Sequence, residues 1–164
     1  MTAHATIRRN IADKLTAATA IKNFCVAGWS LGCSVILEAF GIEGLPSAED
    51  APFLFVYSDG ENESGGETAE ATFEVVLLAG CLSIAAEGSL DETIVSTRSA
   101  SANGLTVRGG SANAEALLAL ALTATDNVGA VLRSVRLTSS GTLEHPLHWA
   151  RARLSFYEPN TLNP

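Results

Sequence analysis

"PFLFVYSDGENESGGETAEATFEVVLLAG", Pro52 to Gly80, sets two apolar runs on either side of a stretch of acids, glycine, serine and threonine. Side chains along a strand point alternately to opposite faces. On that period Phe53, Phe55 and Tyr57 share one face and Leu54 and Val56 the other. Beyond the loop, Phe73, Val75, Leu77 and Ala79 share a face, with Val76 and Leu78 opposite. Both faces of both runs are apolar, the pattern of strands covered on two sides. The simplest connection is an antiparallel hairpin with the acidic loop, Ser58 to Glu70, at its tip.

Working outward, Ile7, Ile11 and Leu15 recur every four residues, which predicts an amphipathic helix over about residues 4–18. "IKNFCVAGWSLGCSVILEAF" (21–40) is apolar and interrupted by Gly28 and Gly32. It reads as strand or irregular structure followed by a strand near 34–40; a helix fits nearly as well, because short apolar runs do not reveal their period. "GIEGLPSAEDAP" is a loop. Residues 89–108 read as an inserted hairpin, with Asn103-Gly104 as the turn between strands at 93–98 and 105–108. "GGSANAEALLALALTATDN" predicts a helix capped by Ser111 or Asn113 and packed across the sheet. Two strands follow, Val131–Thr138 and His148–Tyr157. In the second, Ala150, Ala152, Leu154 and Phe156 face inward and Arg151, Arg153 and Ser155 outward. The order predicts a single α+β domain over 1–164. Its sheet is mainly antiparallel, with long β-hairpins, and is packed by an N-terminal helix and one central helix.

Charge narrows the function. The net charge of −8 argues against a duplex-binding surface, which needs clustered Lys and Arg. Between Asn23 and Thr97 there is no Lys or Arg, whereas thirteen Asp and Glu lie there; from Arg98 onward six arginines face four acids. Such a chain suits head-to-tail contact between copies of itself. No apolar run reaches the ~18–20 residues of a membrane-spanning helix. MTAHATIRRN has no apolar segment after its arginines, so a cytoplasmic protein without a signal peptide is expected. Cys25, Cys33 and Cys81 lack metal-site spacing and read as buried thiols.

Three motifs invite chemistry. Gly28-Trp29-Ser30-Leu31-Gly32 matches the G-x-S-x-G nucleophile elbow, and Asp91 or Asp126 followed by His145 or His148 keeps the order of a hydrolase triad. No His-Gly-Gly-like oxyanion run stands upstream, and a helix rather than a parallel β/α array precedes it. Asp59, Glu61, Glu63 and Glu70 fall at positions 1, 3, 5 and 12 of a calcium loop, but Ser64 occupies the position that must be glycine. His145 and His148 are three apart across Pro146, which forbids the helix that would aim them together. No catalytic residue, metal site or cofactor is therefore assigned.

The order of parts resembles the tail terminator (tail-completion) proteins of tailed bacteriophages. A short N-terminal helix precedes "LPSAEDAPFLFVYSDGENES"; a polar loop, "ATFEVVLLAG", a packed helix and the closing strand "HWARARLSFYEPN" follow. The resemblance implies an α+β subunit, not an enzyme, assembled in the host cytoplasm into a hexameric ring on the end of the virion tail tube. Its partners would be further copies, the tail tube protein and a head–tail connector or neck protein, with no nucleic-acid sequence recognition and no membrane. On this reading Arg133, Arg136, Arg151 and Arg153 meet the acidic region of the neighbouring copy, including Glu43, Glu49 and Asp50. The loop residues Asp59, Glu61, Asn62, Glu63, Glu67 and Glu70 reach tube or neighbour. A small partner- or ligand-binding module, or a serine hydrolase using Ser30, are the alternatives.

Overall fold

The structure, a computed structural model, describes residues 3–38, 45–58, 62–63, 71–82, 99–102, 105–108, 111–144 and 147–158. Its centre is the pair of strands expected from the opening stretch. Strand β2 (Phe53–Tyr57) lies antiparallel to β4 (Ala71–Leu82), with Phe53 opposite Gly80 and Tyr57 opposite Val76. A short β3 (Asn62–Glu63) pairs further along the same edge of β4. On one side β1 (Ser34–Leu37) joins β2 in parallel; on the other, β8 (Leu147–Glu158) pairs along the whole of β4, and β7 (Val131–Glu144) closes that side. The main path of the mixed sheet runs β1-β2-β4-β8-β7.

Among the described residues three helices complete an α+β fold: α1 (Ala3–Ala17), α2 (Thr19–Trp29) and α3 (Ser111–Thr123). They cover one face of the sheet. Ile7, Ile11 and Leu15 of α1, Ile21, Phe24 and Cys25 of α2, and Leu117, Leu118 and Ala121 of α3 are buried. They form one cluster with Leu54, Val56, Val75, Leu77, Ala152, Leu154 and Phe156. The opposite face has a smaller core, Phe53, Phe55, Leu78 and Leu147, with Tyr57 and Trp149 packed against it. The strands are thus covered on both sides, as their two apolar faces require.

One expectation is corrected. Residues 19–29 are helix, not strand or irregular structure, so two N-terminal helices pack the sheet rather than one. Ile21, Phe24 and Cys25 supply the helical stripe, but Ala, Val and Gly on the other faces blur it in the sequence. The helix stops where Ser30 turns left-handed (φ 57°, ψ 24°) and its N–H bonds to the Val26 carbonyl, a common way to end a helix. Ala18, extended at φ −72° and ψ 107°, separates it from α1.

The inserted hairpin exists as β5 (Ser99–Ala102) paired with β6 (Leu105–Arg108), with Ala102 opposite Leu105. Asn103 and Gly104, where the turn was expected, lie outside the described residues, as do 93–98. The hairpin stands beside α2.

Candidate functional site

The four arginines assigned to an interface separate into two pairs. Arg151 and Arg153 lie on the outer face of β8 and are half-buried within their own chain. Arg153 donates from a guanidinium nitrogen to Glu74 at 3.0 Å, a diagonal bond across the β4–β8 ladder, where Glu74 faces Ser155 and Val76 faces Arg153. The Arg151 guanidinium stands 5.8 Å from the centre of the Trp149 ring. Arg133 and Arg136 sit on β7 and are exposed; among the described residues neither is in an ion pair.

Strand β7 is the edge of the main path, and its first half is open on both faces. Val131 (46% exposed), Val135 (42%) and Leu137 (69%) are the large apolar residues there. The helices cover β4 and β8 but leave Val135 and Leu137, opposite buried Leu154 and Ala152, uncovered. Register shifts after Leu132 and Leu137 bend this edge, and Arg133 lies at the first. The result is an aliphatic ridge, Val135 and Leu137, on the helix side of the strand, while Val131 and Arg136, opposite Tyr157 and Arg153, lie on its other face. Sequence reading found the arginines but not the ridge, because Val135 and Leu137 look like any strand's core residues until the helix layer is seen to stop short of them.

The acidic residues are more scattered. Glu49 is exposed and Asp50 half-buried in a 3-10 turn, Ala48–Asp50. Asp50 accepts the Ser47 N–H at 2.8 Å, and the Ser47 hydroxyl accepts from Glu49 N–H, so Asp50 is already engaged in a capping box. Asn62 and Glu63 are held by their backbone on β4, opposite Phe73 and Thr72. Glu43, Asp59, Glu61, Glu67 and Glu70 lie outside the described residues.

The hydrolase motif does not have its elbow geometry. An elbow places its serine between a strand and a following helix; here Ser30 follows helix α2 and precedes strand β1. Asp126 is exposed after α3, His148 is buried opposite Cys81 in the β4–β8 ladder, and Asp91 and His145 lie outside the described residues. Among the described residues no cluster of His, Cys, Asp or Glu is arranged to hold a metal, and no helix is long and apolar enough to cross a membrane. His4, the third histidine, donates from Nε2 to the Glu74 carbonyl at 3.0 Å and stacks on Phe73.

Two further groups tie the helices to the sheet away from β7. Glu38, at the end of β1, accepts from Arg8 at 3.1 Å and from the Ser58 N–H at 2.9 Å, tying α1, β1 and the exit of β2 together. Trp29 donates its indole N–H to the Leu82 carbonyl at 2.9 Å, fixing the end of α2 to the end of β4.

No protein-family model matches the chain. A search of curated proteins finds no matching relative.

Proposed function

We propose that this chain is a tail-completion subunit of a tailed bacteriophage. Copies join head to tail into a ring, hexameric in the terminators it resembles, which seats on the last ring of the tail tube. The ring stops tube polymerisation and offers the surface on which the connector or neck protein docks. The work is steric, with no cofactor, and is done in the virion tail after assembly in the host cytoplasm.

The observation that supports this reading is the β7 ridge. An edge strand exposed on both faces is a template for association, and natural proteins normally blunt or cover it. Val131, Val135 and Leu137 offer apolar area to a neighbour, while Arg133 and Arg136 complement a chain whose net charge is −8. Exposed ion pairs each add only about 0–1 kcal/mol, so the charges orient the contact and the aliphatic residues hold it. A ridge that fits a different patch of the next copy makes a heterologous contact, which forms a ring where the rotation between copies closes.

The decisive experiment is deletion of the gene in its phage or prophage, followed by measurement of tail length. Overlong tubes without heads are expected. Tails of normal length that join heads as usual would overturn the proposal.

A further inference from the structure

Strand β7 carries different chemistry on its two faces, and its register with β8 shows which residue lies on which. Val135 and Leu137 lie opposite Leu154 and Ala152 on the helix side; Ser134 and Arg136 lie opposite Ser155 and Arg153 on the other. Arg136 and Arg153 thus stand directly across from each other, two cations in a position where a ladder favours unlike charges. Arg151 follows two residues along β8 on the same face. Glu74 engages Arg153, which still leaves this face with a surplus of positive charge. Register shifts between Leu132 and Ser134 and between Leu137 and Ser139 leave Ser134 to Leu137 as a regular stretch. Among the described residues, no strand pairs with the outer edge of β7.

We propose that this stretch takes an added strand from the next copy of the chain, one in which aliphatic and acidic side chains alternate. A partner that meets both the aliphatic side and the cationic side must cross the free edge between them. An extended chain lying along that edge satisfies the backbone groups exposed there. Its side chains alternate as those of β7 do. On the helix side they pack beside Val135 and Leu137; on the other side they set carboxylates beside Arg136 and Arg153. The proposal rests on the reading of β7 as the contact between copies and adds how that contact is made.

Charge decides which strand can add. From Val131 to Leu143, β7 has two arginines and no acid. Two β7 strands paired with each other would crowd both copies' Arg133 and Arg136 together, with an Arg153 behind each Arg136, so a two-fold dimer through this edge is disfavoured. Every copy also holds thirteen Asp and Glu, and no Lys or Arg, between Asn23 and Thr97. Glu38, Asp50 and Glu74 are already engaged within the chain; the added strand draws on the others. Because β7 of one copy meets a different segment of the next, the contact is heterologous. The arginines act as a filter, guarding an open edge against its own kind while admitting an acidic strand.

The test compares purified full-length protein below and above the concentration at which it assembles. On assembly, alternate amides between Ser134 and Leu137 should lose their fast hydrogen exchange, while those bonded to β8 are slow in both states. A photoreactive benzoylphenylalanine in place of Ser134, irradiated in a mixture of isotopically light and heavy copies, should link to residues 23–97 of a different copy. Unchanged exchange at 134–137 in the assembled protein overturns the proposal, as does a link to β7 of another copy, to residues outside 23–97, or within one copy. Those outcomes leave the ring to another surface. A chain that stays monomeric at every concentration, alone and with tail tube protein, overturns it too. Normal tail length after gene deletion, with β7 protected and linked as described, sinks the tail reading instead and leaves this one standing. The exchange measurement uses wild type, so it stands even if the photoreactive variant fails to fold.

Discussion

Gly80 lies opposite Phe53 in the β2–β4 ladder, and the Phe53 ring occupies the space where a side chain on residue 80 would begin. Phe53 is fully buried, so the ring has nowhere to swing. Gly80→Ala therefore forces the ring or the strand to shift, a loss of about 1–3 kcal/mol typical of overpacking. Urea unfolding should show the midpoint falling in Gly80→Ala. Adding Phe53→Leu should then cost less than Phe53→Leu costs alone, since the two residues share one space. Asn113 presents the opposite situation. Its side chain is fully buried in the first turn of α3, and among the described residues neither its oxygen nor its nitrogen has a hydrogen-bond partner. Sequence reading cast it as a cap; the structure buries it instead. An unpartnered buried amide costs about 1–3 kcal/mol, and an apolar group of the same shape removes that cost. Asn113→Leu should raise the unfolding midpoint; a fall would mean that the amide is satisfied by an internal water.

Elements rather than single residues decide how α1 meets the sheet. Glu38 stands at the end of β1, where its carboxylate serves Arg8 of α1 and the backbone N–H of Ser58 just past β2. Parallel β1 and β2 are joined through 38–52, so this carboxylate clamps the point at which the first two strands part. Glu38→Ala should destabilise by about 1–3 kcal/mol, since it leaves part-buried donors without their acceptor, and should speed amide exchange at Ser58 well beyond the change at Leu77 in mid-strand. Equal acceleration at both positions would point to general loosening rather than a local clamp. The sequence announced β2, β4 and β8 because their alternation is long and their apolar faces are unbroken. It announced α1 and α3 through a four-residue spacing and an Ala-Leu run. It hid α2, whose stripe of Ile21, Phe24 and Cys25 is set among other small apolar residues, and it hid the parallel β1–β2 pair, because pairing partners leave no mark on either strand. Glu38, Arg8 and Ser58 lie far apart along the chain, so their meeting could be read only from the fold.

At the scale of the whole molecule the candidate interface was half legible. Alternation along β8 placed Arg151 and Arg153 on the outer face, but it could not show that Glu74, 79 residues away, engages Arg153 within the same chain. The difference has consequences that can be measured. Arg153→Ala removes an intrachain bond and should lower the stability of the isolated chain modestly, within about 1 kcal/mol for a part-exposed pair, with little effect on association. Arg133 and Arg136 are exposed and outside any intrachain ion pair among the described residues. The double variant Arg133→Glu/Arg136→Glu should therefore leave unfolding within about 0.5 kcal/mol of wild type, as surface changes usually do. If β7 is where copies meet, the same variant turns attraction into repulsion and should abolish higher-order species. Leu137→Asp, at the most exposed aliphatic position of the ridge, should do the same at any salt concentration, because it strikes the apolar part of the contact. The arginine variant should regain some association as salt screens its charges. Native mass spectrometry of wild type, with and without tail tube protein, supplies the reference. Should the wild-type chain remain monomeric in both conditions, or should Leu137→Asp assemble as wild type does, β7 is not the contact and the ring loses its structural support.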